Sequence, residues 1–128
     1  MKIVAVVGSY RRGGIVESAA DEALAGAEEA GAEIEKVNLL DQHIEFCMNC
    51  RSCSQVQDAP RGSCSIEDDM ALILDRVDDA DGLILACPVN FGTATALMKR
   101  FIERLLCYAY WPWGKKIPRE RITNKTKR

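Results

Sequence analysis

The sequence predicts an α/β domain built on a parallel sheet. Three short apolar runs have the length of buried strands, and each precedes a segment whose apolar residues recur at helical spacing. This alternation of strand and helix is typical of a parallel sheet. The predicted strands cover residues 2–7, 33–39 and 82–87, and the predicted helices cover residues 14–30, 65–79 and 93–107.

The first strand, helix and second strand are predicted from apolar patterning. Residues 3–7 are apolar and mostly β-branched, as in a strand buried on both faces. Small apolar residues then recur over residues 19–30 at the spacing of one helix face. Gly31 suits the left-handed position that ends many helices. Residues 33–39 alternate imperfectly between apolar and charged and predict the second strand.

The remaining elements are predicted from capping signals and apolar faces. Ser65 is the expected N-cap of the second helix, and the acidic residues at 67–69 suit its first turn. Residues 82–87 form the third strand-like run, which Pro88 closes because proline cannot donate a ladder hydrogen bond. Apolar residues over 94–106 give the third helix one buried side.

Composition indicates one soluble globular domain. With 128 residues, 48% hydrophobic and 28% charged, the chain suits a single core. No N-terminal stretch resembles a signal peptide or spans a membrane, so we expect a cytoplasmic protein. Net charge is −2, but residues 115–128 carry +6 and the remainder −8. Such basic tails are usually solvated, and no other feature favours nucleic-acid binding.

The loop after the first strand has the composition of a phosphate-binding turn. Residues 8–14 read Gly-Ser-Tyr-Arg-Arg-Gly-Gly, and small residues allow backbone amides and a helix N-terminus to approach an anion. The loop is neither a P-loop nor a Gly-x-Gly-x-x-Gly fingerprint, which disfavours ATP and dinucleotides. A glycine-rich turn without a ligand is the alternative explanation.

The loop after the third strand is the second candidate. Residues 87–93 read Cys-Pro-Val-Asn-Phe-Gly-Thr, and ligands of parallel sheets bind at such carboxyl ends of strands. Pro88 and Gly92 constrain the backbone around an aromatic side chain, and amides at 90–92 could hydrogen-bond a flat heterocycle. An ordinary turn is the alternative.

Four of the six cysteines fall in one loop, at Cys47, Cys50, Cys53 and Cys64. Two consecutive x2 spacings let a short backbone segment direct several sulfurs to a common centre. Three explanations stay open: a 4Fe-4S cluster, free thiols without metal, and zinc, although structural zinc prefers two separated Cys-x2-Cys pairs. Disulfides are disfavoured in a reducing cytosol. Cys87 and Cys107 are expected to be apolar fillers.

Gly-Ser-x-Arg after the first strand and Pro-Val-x-Phe-Gly-Thr after the third resemble the flavodoxin-like NAD(P)H-dependent FMN reductases. The cysteine spacing and Asp68-Asp69-Met70 resemble their iron-sulfur flavoprotein branch. The resemblance implies a flavodoxin-like three-layer α/β/α fold with FMN as cofactor, and strand order 2-1-3 for the strands evident here. By matching motif positions, the FMN phosphate would lie among Ser9, Arg11, Gly13, Gly14, Ile15 and Val16. The ribityl chain and isoalloxazine ring would lie against Pro88, Val89, Asn90, Phe91 and Gly92.

The sequence departs from the family pattern in three places. Ile15 and Val16 stand where members usually place a Ser or Thr hydroxyl for the phosphate. Ten residues separate Cys53 from Cys64, where members have a short spacer. Flavodoxin-like sheets have order 2-1-3-4-5, but signals for the last two strands are missing. We therefore expect 1–114 to be the N-terminal part of an FMN-binding domain and 115–128 to begin a missing C-terminal portion.

The expected activity is electron transfer. FMN would accept a hydride or single electrons from NAD(P)H or a protein such as ferredoxin, and a cluster would exchange electrons with it. A non-catalytic FMN-binding module and an inactive fragment are the alternatives. The unpaired edge of the third strand predicts a homo-oligomer.

Two other features receive no catalytic role. The single histidine, His43, is expected to be an exposed loop residue, and without a nucleophile turn hydrolysis is disfavoured. The aromatic residues at 108–113 are expected to pack against the domain's own core, with an interface as the second explanation.

Overall fold

A computed structural model describes residues 1–121 of the chain. Three parallel strands form the main sheet, and two short antiparallel ribbons accompany it. The strands are β1 (Lys2–Val7), β2 (Glu33–Asn38), β3 (Gly82–Ala86), β4 (Val89–Asn90), β5 (Thr93–Ala94), β6 (Ala109–Tyr110) and β7 (Arg119–Glu120). The helices are α1 (Ile15–Glu29), α2 (Met70–Asp79) and α3 (Ala96–Arg104), with 3-10 turns at Leu39–Asp41, Ser52–Ser54 and Leu105–Tyr108.

The main sheet has β1 at its centre, between β2 and β3, which confirms the predicted order 2-1-3. Both pairings are parallel, and Val6 lies opposite Val37 on one side and Leu85 on the other. Since parallel strands end at the same edge, the loops that follow β1 and β3 are neighbours. That edge carries the candidate site.

Both faces of β1 are buried, as its continuous apolar sequence predicts. Val4 and Val6 belong to the main core, which α2 and α3 complete with residues such as Ile73 and Phe101. Because side chains alternate along a strand, the other face of β1 points the opposite way. Helix α1 covers that face, since it contacts all three strands and buries Ala20 and Leu24.

Two predicted helix starts are wrong. Helix α2 begins at Met70, because Ser65 does not cap it and instead places its hydroxyl 3.6 Å from the Cys50 sulfur. Helix α3 begins at Ala96, because residues 93–94 pair with β4 in a hairpin. Thr95 is the N-cap of α3, and its hydroxyl accepts a hydrogen bond from the Met98 amide at 3.1 Å.

The segment after α3 folds back onto the domain. Strand β7 pairs antiparallel with β6, in a region where the sequence shows no strand-like run. Two-residue strands leave no periodic pattern to recognise, which is why β7 was missed. The remainder of the predicted basic tail, 122–128, lies outside the described residues. Within residues 1–121, every helix is too short or too polar to cross a bilayer.

Candidate functional site

The loops after β1 and β3 enclose a cavity of about 690 Å³. Its lining residues come from both loops and from the start of α1: Ser9, Tyr10, Arg11, Gly14, Ile15, Val16, Pro88 and Asn90. Tyr10 also lines the cavity, although it was not among the expected binding residues. Gly13, Val89, Phe91 and Gly92 were expected at the site but are not part of the lining.

The two loops are held together where the strands end. The amide of Gly8 donates to the Ala86 carbonyl at 2.8 Å, which extends the β1–β3 pairing by one residue. The Thr95 hydroxyl is fully buried and donates to the Gly8 carbonyl at 2.6 Å. Gly8 lacks a side chain because a Cβ there would lie 2.8 Å from the Cβ of Met98. Thr95 therefore joins α3 to the end of β1, a role that its place just before a helical apolar pattern could have suggested.

The loop after β1 is shaped by its own side chains. The Ser9 hydroxyl is buried and accepts a hydrogen bond from the Arg11 amide at 3.1 Å, which closes a tight turn. Gly13 has a positive φ of 62°, a conformation that suits glycine. Arg12 pairs with Asp41, whereas Arg11 forms no ion pair within the described part of the chain.

The N-terminus of α1 has unsatisfied amides. Gly14 caps the helix without a side-chain hydrogen bond, and the first helical bond runs from Ser18 to the Gly14 carbonyl. Within residues 1–121 no acceptor is found for the amides of Gly14, Ile15 and Val16. Free amides at the positive end of a helix dipole are suited to bind an anion.

Glu17 limits how many amides are free. Its carboxylate accepts from the Gly13 amide at 2.7 Å and from Lys36 and Asn38, both at 3.3 Å. The Gly13 amide, followed by Lys36, lowers the pKa of Glu17. The carboxylate thus fastens the loop to β2 and occupies one amide that an anion would otherwise use.

The loop after β3 is a hairpin formed by β4 and β5. Phe91 and Gly92 occupy its two central positions with φ of 50° and 80°, the backbone of a type I′ turn. Asn90 and Thr93 pair across the ribbon. The Phe91 side chain is fully exposed at the tip of the hairpin. Such an exposed ring, held in a strained left-handed conformation, is available to a ligand or a partner.

The cysteine loop, which we define as residues 45–64, has thiols in different environments. Cys50 and Cys64 are exposed, and Cys47 and Cys53 are half-buried. The Ser52 hydroxyl, 3.3 Å from the sulfur, is the main cause that lowers the pKa of Cys50 to about 7. Burial raises the pKa of Cys53, and the nearby Cys64, Cys47 and Cys50 thiols add to this.

The four thiols share a neighbourhood without a common centre. No group of three or more His, Cys, Asp or Glu side chains in residues 1–121 is gathered closely enough to hold a metal ion. Their chemistry nevertheless suits iron, because thiolates are the usual ligands of iron–sulfur clusters and Cys50 ionises readily. Cys107 is buried in the core and Cys87 packs against it, as expected for apolar fillers.

A buried ion pair between Asp68 and Arg104 holds the start of the cysteine loop. The Asp68 carboxylate receives two hydrogen bonds from Arg104, at 2.6 and 3.1 Å, and both side chains are at least 98% buried. Asp68 also accepts from the amides of Glu45 and Met70. Burial alone would raise the pKa of Asp68, but Arg104 and these amides lower it.

The neighbouring aspartate makes a second connection at the same place. Asp69 accepts from the His43 amide at 2.7 Å, and its own amide donates to the His43 carbonyl at 3.0 Å. The His43 ring is exposed and lies 3.0 Å from Glu45. Asp68-Asp69-Met70 therefore anchors the entry to the cysteine loop, a role that the motif alone did not reveal.

The aromatic segment after α3 is divided: Tyr108 packs against the main core, as expected, whereas the two tryptophans do not. Trp111 and Trp113 lie against the Arg51 guanidinium, 3.8 and 4.6 Å from its central carbon, instead of inside the main core. Arg51 also donates to the carbonyls of Trp111 and Pro112. The two tryptophans therefore pack on the cysteine loop, because the Arg51 guanidinium can stack on aromatic rings and donate to backbone carbonyls at the same time.

The sequence matches the family described as NADPH-dependent FMN reductase over residues 1–118. The chain belongs to this family. Among curated relatives it is 38% identical over 112 residues to an iron-sulfur flavoprotein of Archaeoglobus fulgidus, covering 88% of this chain and 49% of the relative. It is 36% identical over 104 residues to an iron-sulfur flavoprotein of Methanocaldococcus jannaschii, covering 81% and 51%. The predicted resemblance to the iron-sulfur flavoprotein branch is confirmed.

Solved structures give the same fold. A flavone reductase superposes with a TM-score of 0.62 at 32% identity, over 81% of this chain and 29% of its own. The NAD(P)H:quinone oxidoreductase of Methanothermobacter marburgensis superposes with a TM-score of 0.68 at 19% identity, over 87% of this chain and 57% of its own. The flavodoxin-like fold is therefore confirmed. The chain spans about half the length of the curated relatives that it matches.

Proposed function

We propose that the chain binds FMN in the cavity between the β1 and β3 loops and acts as an FMN-dependent oxidoreductase. The observation that carries this proposal is the convergence of unsatisfied amides at the start of α1 with the β3 loop around one cavity. An FMN phosphate would lie on the amides of Gly14, Ile15 and Val16, with Arg11 as the nearby cation. Family membership supports the choice of FMN over other phosphate-bearing ligands.

The remaining proposed contacts involve the rest of the two loops. Ser9 and Gly13 would shape the phosphate turn, while the ribityl chain and ring would lie along residues 88–92. Bound FMN supplies the redox chemistry, since it accepts a hydride or single electrons. The chain's own residues orient the ring, and Phe91 would cover one of its faces.

The electron donor is proposed to be NAD(P)H, with a protein donor such as ferredoxin as the alternative. Anaerobic mixing of the FMN-loaded chain with NADPH tests this directly. Bleaching of the flavin absorption by NADPH supports a reductase, whereas bleaching by dithionite alone contradicts the NAD(P)H assignment. A chain that takes up FMN but is reduced by no biological donor would be a non-catalytic binding module.

Two observations argue for weaker phosphate binding, and so for the alternative of an inactive fragment. Glu17 occupies the Gly13 amide, and apolar Ile15 and Val16 replace the family's hydroxyl groups. Both reduce the number of donors offered to a phosphate. A chain that takes up no FMN is the corresponding negative outcome.

We further propose that Cys47, Cys50, Cys53 and Cys64 hold a 4Fe-4S cluster that exchanges electrons with the flavin. The donor set and the printed names of the relatives support this assignment. Iron and acid-labile sulfide are measured after anaerobic purification. Four irons and four sulfides per chain would support the cluster. Iron-free protein that stays iron-free after chemical reconstitution would leave the cysteines as free thiols.

Self-association in a cytoplasmic setting is the last part of the proposal. Within residues 1–121, the outer edge of β3 has no neighbouring strand. Leu85 of β3 is about half exposed, at 47%, and exposed parallel edges invite pairing with another chain. Light scattering coupled to gel filtration should give a mass above that of one chain, and a stable monomer would contradict this part.

A further inference from the structure

We propose that Arg121 is a positioning residue of the cysteine site. Arg121 holds together the two ends of the ten-residue spacer between Cys53 and Cys64. The chain therefore comes back towards Cys53 before it reaches Cys64. The assignment of the cysteines to a cluster is part of the proposed function, and this inference rests on it. The closure itself is a property of the chain that is measurable without metal.

The spacer forms a closed loop with a narrow neck. At the neck, the backbone of Gly62 lies against the carbonyl of Cys53, and a Cβ on Gly62 would be 1.6 Å from that oxygen. The Gly62 amide donates to the Cys107 carbonyl at 2.8 Å. This bond fastens the end of the spacer to the 3-10 turn that follows α3. Cys64 follows two residues after Gly62.

Arg121 fills the neck and the loop behind it. Its Nη2 donates to the Cys53 carbonyl at 2.7 Å, and its Nε donates to the Cys107 carbonyl at 3.0 Å. Its Nη1 contacts three spacer carbonyls, those of Val56, Gln57 and Ala59. The residue is 4% exposed, and it forms no ion pair within the described residues. Backbone carbonyls of the spacer thus satisfy a buried cation.

The arrangement requires the shape of a guanidinium. Arg121 engages five carbonyls from three nitrogen atoms in one plane, and the two hydrogens on Nη1 are shared among three of these carbonyls. A lysine has three donors on one atom, so it reaches a subset of these carbonyls. A methionine of similar length fills the space but takes away the donor to the Cys53 carbonyl and to the three spacer carbonyls, while the Cys107 carbonyl keeps the Gly62 amide.

The opposite side of the cysteine loop is held in a reciprocal way. Arg51, which lies between Cys50 and Cys53 in sequence, donates to the Trp111 and Pro112 carbonyls at 2.6 and 3.3 Å. Arg51 therefore belongs to the cysteine loop and binds carbonyls of the segment around β6 and β7. Arg121 belongs to that segment and binds carbonyls of the cysteine loop. The segment around β6 and β7 belongs structurally to the cysteine site.

The chain offers a matched control for a substitution at Arg121. Arg119 lies two residues earlier in β7 and is exposed, with its backbone paired to Tyr110. Arg119→Met removes the same charge and adds the same side chain without touching the spacer. The test of the proposal uses three variants of the full chain: Arg121→Met, Arg121→Lys and Arg119→Met.

Hydrogen–deuterium exchange of the metal-free chain tests closure directly. Arg121→Met should accelerate exchange over residues 54–63 by about tenfold or more, because each lost charged hydrogen bond is worth roughly that factor. Arg121→Lys should give an intermediate rate, and Arg119→Met should match the unsubstituted chain. Unchanged exchange in Arg121→Met overturns the proposal, and so does equal acceleration in Arg119→Met.

Iron, sulfide and FMN assays then separate positioning from general unfolding. Reconstituted Arg121→Met should lose most of its iron and sulfide while its FMN affinity stays within about twofold, because the flavin loops do not contact Arg121. Parallel loss of iron and FMN overturns the positioning role. If the unsubstituted chain holds no iron, the cluster assignment fails, and the exchange comparison still decides whether Arg121 closes the spacer.

Discussion

Asp68→Asn removes one charge of the buried pair and leaves Arg104 without its counter-ion. The Asp68 side chain is 0% exposed and that of Arg104 is 2% exposed, so water cannot replace the lost charge. Removing one partner of a buried pair costs about 3–5 kcal/mol. Total stability of a domain is about 5–15 kcal/mol, so the substitution should remove a large part of it. Urea unfolding followed by circular dichroism measures the difference.

Asp75→Asn is the matched control. Asp75 pairs with Arg61 at 2.7 Å but is 62% exposed, so its loss should change the free energy of unfolding by less than about 1 kcal/mol. The double substitution Asp68→Leu with Arg104→Met should recover part of the loss, because it leaves no buried charge. A loss below about 1 kcal/mol in Asp68→Asn would refute the reasoning that this pair anchors the cysteine loop.

The same pair gives a pH dependence with a definite sign. The pKa of Asp68 is lowered in the folded chain despite burial, chiefly by the hydrogen bonds from Arg104. Its stabilisation is therefore complete above the unfolded value of about 3.9 and is lost as the pH falls through the lower folded value. In Asp68→Asn this acid-dependent component should be absent from the urea midpoints.

Three further substitutions have specific expected results. Gly62→Ala should destabilise the fold by about 1–3 kcal/mol or more, since the new methyl group meets the Cys53 carbonyl; Gly26→Ala, where nothing lies nearby, should raise the thermal midpoint instead. Thr95→Val should lower the free energy of unfolding by about 1–2 kcal/mol, because it removes the α3 cap. Thr95→Ser keeps the hydroxyl, so its urea midpoint should stay close to that of the unsubstituted chain. Phe91→Ala should weaken FMN binding in a fluorescence titration and leave the thermal midpoint unchanged, because the ring is fully exposed; a lowered midpoint would contradict this.

The sheet and its ligand-binding edge could be predicted from the sequence because they depend on local patterns. The apolar run of β1 determines a buried central strand, and its parallel pairing places residues 8–14 beside the β3 loop. The predicted start of α3 at residue 93 is wrong because residues 93–94 pair with β4. Only the tertiary pairing decides between helix and strand at these residues.

The cysteine loop could not be predicted in the same way, because long-range contacts shape it. Arg121 lies in a segment that reads as a solvated basic tail, yet spacer carbonyls surround its guanidinium. Arg104 reads as one charge on the polar side of an amphipathic helix, yet it is buried against Asp68. In both cases the partner is more than 30 residues away in sequence, where no periodic pattern connects the two.

Comparison of FMN with riboflavin tests the central claim most directly. Both ligands carry the same ring, but only FMN has a phosphate to place on the free amides at the start of α1. Titration by quenching of flavin fluorescence should show one FMN per chain and an affinity for riboflavin at least about tenfold weaker, the value of one charged hydrogen bond. Equal affinities for the two, or no saturable binding of FMN, would contradict the account.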